Sequence, residues 1–282
     1  MDSNIVDGRA LARSIKLNLK QRLKQENPVP FHIIYVGSDP VIDNYLSYKQ
    51  KFGKYIGVET FIHRYGENIS EQELEQEIIN ISSLHEPAII QLPLPQKFNA
   101  QKFLDLIPWD VDVDVLSSQG RMLFANNENL LIPPVTGSIL EILTTHQIDL
   151  NSKNIVLVGM GKLVGTPMSQ WLQSHNYPFL TITEETPLEE KKQILKEAQV
   201  LITGVGSPSL INSEDLSEGV VVLDAGTAED TKGIVGDVNP GVAKMASLFT
   251  PVPGGVGPLT IALLYRNVVT SYQSYVKPYI TN

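Results

Sequence analysis

The chain has 282 residues, 42% of them hydrophobic, no cysteine and a formal net charge of −9. That length allows two domains with substantial cores, and the lack of thiols excludes disulfides, thiolate nucleophiles and zinc–thiolate sites. The acidic balance argues against nucleic-acid and anionic-membrane partners, and no apolar run approaches the ~20 residues of a membrane span.

Met1-Asp2-Ser3-Asn4 lacks the basic-then-apolar layout of a signal peptide, so a cytoplasmic location is expected. Ala10 to Leu23 places Leu11, Ile15, Leu19 and Leu23 on one helical face. Phe31 to Val36 reads as a buried strand ending at Gly37. Ser38-Asp39-Pro40 has the form of a helix start, and the helix it opens closes at Gly53 or Gly57. Glu59 to Arg64 is a second strand, Ser70 to Ser82 a helix, and Ala88 to Leu92 a short strand. Composition shifts around Asn126 to Gly137, which suggests a domain boundary.

Asn154 to Val158 is a strand, followed at once by Gly159-Met160-Gly161-Lys162-Leu163-Val164-Gly165 and a helical run through Leu172. Phe179 to Thr183, Val200 to Thr203 and Val220 to Asp224 are further strands, which makes this half a doubly wound α/β domain. Glycines between a strand and a helix let a pyrophosphate sit on the helix N-terminus. The spacing here is G-x-G-x-x-x-G, and a tight strand–helix turn without a ligand is the competing reading. Glu184 lies about 20 residues beyond the turn, where an acid accepts from the adenosine ribose and repels a 2′-phosphate. Glu185 is the alternative acid; Lys162 would pull the other way if it reached a 2′-phosphate.

Three further segments carry candidate chemistry. Tyr45 and Lys49 are four apart on the helix that starts at Pro40 and so share a face. A partly desolvated lysine there exchanges protons more readily, although a snorkelling lysine fits the same spacing. Gln91-Leu92-Pro93-Leu94-Pro95 ends a strand with a stiff extended loop. Asp110, Asp112 and Asp114 would share one face if extended, a pattern open to calcium or to plain solvent exposure. Last comes Thr250 to Thr260, with three prolines and three glycines between Pro251 and Pro258. Such a loop has a fixed shape and a bare backbone, suited to lie against a ligand or to serve as a stiff connector. Pro258 suits the first turn of the last helix.

Taken together, Ile5 to Gly8, Tyr45 to Lys49, Gln91 to Pro95, Asp112 to Asp114, Val158 to Pro167, Gly236 to Val238 and Thr250 to Thr260 carry a resemblance. The chain resembles the bifunctional methylenetetrahydrofolate dehydrogenase/methenyltetrahydrofolate cyclohydrolase family over almost its full length. The resemblance implies Lys49 as the general acid/base of the cyclohydrolase step, with Gln91 hydrogen-bonding it. It implies Tyr45 stacked on the aminobenzoyl part of the folate and Asp114 binding the pterin ring. A competing register gives that last role to Asp112. Pro253, Gly254 and Gly255 would form part of the folate-site wall, and Gly159, Gly161 and Gly165 would shape the cofactor turn. It also implies a homodimer with NAD or NADP as cofactor, a tetrahydrofolate substrate and no metal.

The departures are specific. Many members have Arg-Ser after the first cofactor glycine, contacting the NADP 2′-phosphate; here Met160-Gly161 stand there, which with Glu184 favours NAD. The family's P-C-T-P-x-G segment is Pro133-Pro134-Val135-Thr136-Gly137, without the cysteine, and Val115 replaces the glycine after D-V-D. The expected fold is a two-domain α/β protein with a Rossmann-like dinucleotide domain. The catalytic lobe spans 1–134 and is completed by a C-terminal helix, 257–282; the dinucleotide domain spans 135–256. Alternatives are a one-activity member, a dehydrogenase of another α/β family, and a non-catalytic nucleotide-sensing homologue.

Overall fold

The computed structural model describes residues 4–24, 26–230 and 233–276. They divide into two compact units, one drawn from Arg13–Pro134 and Ile261–Asn282, the other from Met1–Ala12 and Val135–Thr260.

The first unit is built on a parallel sheet. Helix α1 (Gly8–Arg22) leads to β1 (Val29–Val36), α2 (Pro40–Ile56), β2 (Val58–Tyr65), α3 (Glu71–Ser82) and β3 (Ala88–Ile90). The strand order is β2-β1-β3, with Asp112 extending the sheet by one bridge to Ala88. β1 is almost wholly buried, as its unbroken apolar run requires. Gly57 rather than Gly53 ends α2, at φ +95°. Gly53 lies inside the helix, where a Cβ would sit 2.6 Å from Thr60 Oγ1 and 2.8 Å from the Tyr265 hydroxyl, so packing and not a helix end calls for glycine there. Ser70 and Glu73 close a capping box on α3. Short helices α4 (Ala100–Leu104) and α5 (Ser118–Ala125) follow.

The second unit opens with α6 (Pro134–Thr145). It continues through β4 (Ile155–Val158), α7 (Gly165–Ser174), β5 (Phe179–Ile182), α8 (Leu188–Glu197), β6 (Val200–Thr203) and β7 (Val221–Asp224). A hairpin, β8 (Ala228–Asp230) and β9 (Gly233–Val235), precedes β10 (Leu248–Phe249) and α9 (Val256–Val276). The five-stranded parallel sheet runs β10-β7-β6-β4-β5, the doubly wound order 2-1-3-4-5. Its switch point lies beyond the carboxyl ends of β4 and β6.

The N-terminal segment packs apart from the rest of 1–134. Residues 4–12 group with the second unit, not with the lobe assigned to 1–134. The reason is edge pairing: Val6 N donates to Phe249 O at 2.9 Å, and Phe249 N donates to Asn4 O at 2.8 Å. The Asn4 amide adds bonds to Ala243 O and Ala246 O at 2.7 and 2.9 Å. The boundary at residue 260 falls inside α9, and 277–282 of the expected C-terminal helix lie outside the described residues. Among the described residues no helix is long and apolar enough to cross a membrane.

Candidate functional site

Helix α2 starts where it does because Asp39 Oδ1 accepts from Val41 N at 2.7 Å and Ile42 N at 3.3 Å, with Pro40 at the first helical position. One turn separates Tyr45, 43% exposed, from the half-buried Lys49. Lys49 Nζ donates to Gln91 Oε1 at 2.8 Å. Gln91 Nε2 donates to Leu92 O at 2.8 Å, which fixes the amide with its carbonyl toward the lysine. The Gln91 backbone N–H is tied to Ile34 O on β1 at 2.8 Å. Burial of the ammonium pushes the Lys49 pKa down, and the Asp114 charge pulls it partly back. Asp114 is raised in turn, chiefly by desolvation and against the pull of Lys49. The result is an amine that gives up its proton more readily than a free lysine, held by an oriented amide.

The D-V-D segment is not extended, so its carboxylates do not share a face. Asp112 turns inward: at 2% exposure, its Oδ2 accepts from Leu116 N at 2.8 Å and Ser117 N at 2.7 Å. Burial pushes its pKa up to about 6 against those bonds. It is a turn-holding group, whereas Asp114 remains partly exposed. Among the described residues there is no group of three or more acids and histidines placed to hold a metal ion.

The C-terminal helix positions both parts, a role the sequence reading assigned to no residue. The Tyr265 hydroxyl donates to Lys49 O at 2.6 Å. The Asn267 amide donates to Val113 O and Ile132 O at 2.8 and 2.7 Å, and Ser271 Oγ to Asp110 O at 2.7 Å. Their spacing, two and four residues apart within the apolar stretch of the helix, was the available sign.

In the second unit the glycine turn sits at the end of β4, as expected. Gly159, at φ +81°, donates to Ile182 O at 2.8 Å, so the turn adjoins the end of β5, two residues before the exposed Glu184. Gly165 permits close packing, since a Cβ there would strike Gly159 O. Gly161 differs: its missing Cβ would meet only Gly204 O, at 3.8 Å. It is exposed, as are Met160 and Lys162, and no side chain caps α7. Open backbone beside an uncapped helix start fits a dinucleotide pyrophosphate.

The proline–glycine turn belongs to the same unit. Gly255 N donates to Pro251 O at 2.7 Å, Gly254 sits at φ +121°, and Pro258 is the third residue of α9. A Cβ on Gly8 would collide with Gly255 O, which explains the glycine in Val6-Asp7-Gly8. Asp7, Arg9, Pro251, Pro253 and Gly254 border a cavity of about 330 Å³.

Two family models match the chain: the tetrahydrofolate dehydrogenase/cyclohydrolase catalytic domain over residues 6–114 and the NAD(P)-binding domain of the same enzymes over 133–276. The bifunctional protein FolD of Mycoplasmopsis synoviae is 32% identical over 280 residues, covering 95% of this chain and 99% of the relative. The crystal structure of the bifunctional enzyme FolD from Campylobacter jejuni is similar at a TM-score of 0.89 and 29% identity, covering 96% and 99% of the two chains. That of Trypanosoma brucei FolD, complexed with NADP and inhibitor, has a TM-score of 0.90 at 26% identity, covering 97% and 98%.

Proposed function

The chain belongs to the tetrahydrofolate dehydrogenase/cyclohydrolase family, and we infer that it oxidises 5,10-methylenetetrahydrofolate and hydrolyses the methenyl product to 10-formyltetrahydrofolate. The observation that carries this reading is Lys49 Nζ at 2.8 Å from the oriented Gln91 carbonyl, with Asp114 acting on the same charge. Gly159, Gly161 and Gly165, with Met160 and Lys162 beside them, would hold a nicotinamide dinucleotide, which would supply the hydride acceptor of the first step. Tyr45 offers its exposed ring to the aminobenzoyl group, and Asp114 its carboxylate to the pterin. Pro253, Gly254 and Gly255 offer bare backbone to the substrate.

In the second step water adds to the methenyl carbon. Neutral Lys49 takes one water proton, which leaves a hydroxyl on that carbon, and returns it to N5 as the carbon–N5 bond breaks; the hydroxyl proton passes to solvent as the formyl carbonyl forms on N10. The methenyl carbon is already a cationic electrophile, so this route calls for no metal.

We read Glu184 as favouring NAD. Absorbance assays of methylenetetrahydrofolate oxidation with each cofactor should give the higher kcat/KM with NAD. Glu184→Ser should then improve NADP relative to NAD by about tenfold, some 1.4 kcal/mol. Faster wild-type turnover with NADP would instead point to Lys162 or another cation. No turnover with either, in folded protein, would remove the dehydrogenase assignment. The protein is proposed to act in the cytoplasm as a homodimer, and light scattering should return twice the chain mass of 31.2 kDa; a value at the monomer mass at micromolar concentration refutes the dimer.

A further inference from the structure

Asp237 is fully buried, and four donors converge on its carboxylate. Oδ2 accepts from Thr203 Oγ1 and Val205 N, both at 2.7 Å; Oδ1 accepts from Gly206 N and Ser207 N, both at 2.8 Å. These donors are the last residue of β6 and the turn that follows it. A buried carboxylate with this many partners is a strong organiser of backbone, because each amide left unpaired there would have no substitute.

The carboxylate is itself held by a reciprocal arrangement of two short segments, Asp224-Ala225-Gly226 and Gly236-Asp237-Val238. A Cβ on Gly226 would overlap the Asp237 carboxylate, and a Cβ on Gly236 would overlap that of Asp224. Asp224 Oδ1 accepts from Gly226 N and Oδ2 from Val238 N, each at 2.9 Å. Each glycine thus makes room for the other segment's acid.

The turn so fixed packs directly on the glycine turn after β4. A Cβ on Gly159 would lie 2.8 Å from Val205 Cγ2, and one on Gly204 would lie 2.5 Å from the Val164 side chain. The two turns form facing walls at the switch point of the sheet, where doubly wound domains bind their ligands. With the amides of 205–207 turned inward to Asp237, that wall presents the half-exposed Val205 and glycine backbone rather than N–H donors. It suits an uncharged part of a dinucleotide, while the opposite wall, with the uncapped start of α7, suits the phosphates.

We propose that Asp237 is a positioning residue for the nicotinamide dinucleotide: by holding the 204–207 turn against the glycine turn, it sets the width of the cofactor crevice. This rests on the dehydrogenase reading above.

The test uses the full chain and two near-isosteric variants. Asp237→Asn sets an amide N–H₂ against at least one backbone donor, Val205 N in the Oδ2 position or Gly206 N and Ser207 N in the Oδ1 position; Thr203→Val removes one of the four bonds. The Kd for NADH and NADPH, read by the fluorescence of the reduced ring, should rise about tenfold or more in Asp237→Asn and about threefold in Thr203→Val. The cyclohydrolase reaction uses no dinucleotide, so its kcat and its folate KM should stay within about twofold of wild type. If Asp237→Asn does not fold, Thr203→Val carries the comparison alone. Unchanged dinucleotide Kd in a folded variant overturns the proposal, as does an equal fall in both activities, which would mark general damage. A wild-type protein that binds neither dinucleotide and oxidises no folate would overturn the dehydrogenase reading instead.

Discussion

Replacing Lys49 by methionine should lower cyclohydrolase turnover by about 10²–10⁴-fold, the loss typical of a general acid–base group. Methionine keeps an apolar stem of similar length, so α2 keeps its packing and the loss reports the amine. Oxidation of methylenetetrahydrofolate should fall less, by about tenfold, because positioning of the two carbons contributes most to hydride transfer. The pH dependence carries a sign. Burial disfavours the ammonium, so the neutral amine forms below the ordinary lysine value of 10.5, and wild-type cyclohydrolase turnover should climb with pH toward a plateau with an apparent pKa under that value. Asp114 opposes the shift, so Asp114→Asn should move the limb to still lower pH while raising the folate KM. Stopped-flow decay of methenyltetrahydrofolate absorbance measures all three proteins. Lys49→Met within threefold of wild type, with an unchanged melting temperature, would mean that another group activates the water.

The local signals for this site were readable because each depends on a short stretch of chain. Asp39-Pro40 marked the start of α2, Gly53 or Gly57 its end, and Ser70 the start of α3. The glycine turn and Glu184 were readable because strand, turn and strand follow one another over some thirty residues. Contacts between distant parts of the chain left no such mark. Asn4 and Val6 read as an ordinary N-terminus, yet they pair with Phe249 more than 240 residues later. Gly53 looked like a helix end until Tyr265, from α9, occupied the space of its missing side chain. The three aspartates of 110–114 had the period of a strand, but Asp112 instead turns back to bind the amides of 116 and 117. Helices α6 and α8 were not read at all. The first begins at Pro134, directly after Pro133, inside a segment that resembles a linker, and the second is mostly charged, with Leu195 its one buried side chain. Asp237 stood within a recognised motif, but its role depends on the Thr203 hydroxyl, 34 positions away, and on amides 30 to 32 positions away.

Gly161→Ala and Gly165→Ala should separate the two reasons for glycine in the cofactor turn. At Gly165 the new methyl would strike Gly159 O and approach the Met160 Cα at 2.9 Å. Both are backbone atoms, so α7 must move off the end of β4 rather than let a side chain turn aside. Overpacking of this kind costs about 1–3 kcal/mol or more, and the melting temperature should fall by several degrees, about 2–4 °C per kcal/mol in a chain of this size. Dinucleotide binding should be lost with it. At Gly161 the methyl has room in the free protein, with Gly204 O at an ordinary 3.8 Å. Its melting temperature should therefore stay near wild type, while the dinucleotide Kd rises about tenfold or more, because the methyl occupies the surface a pyrophosphate would approach. Cyclohydrolase turnover of Gly161→Ala should be unaffected. Thermal melts and titrations of NADH fluorescence on the same preparations decide it. Wild-type dinucleotide affinity in Gly161→Ala would place the pyrophosphate away from this turn, and an undisturbed Gly165→Ala would mean that α7 and β4 pack with slack that the close approach to Gly159 denies.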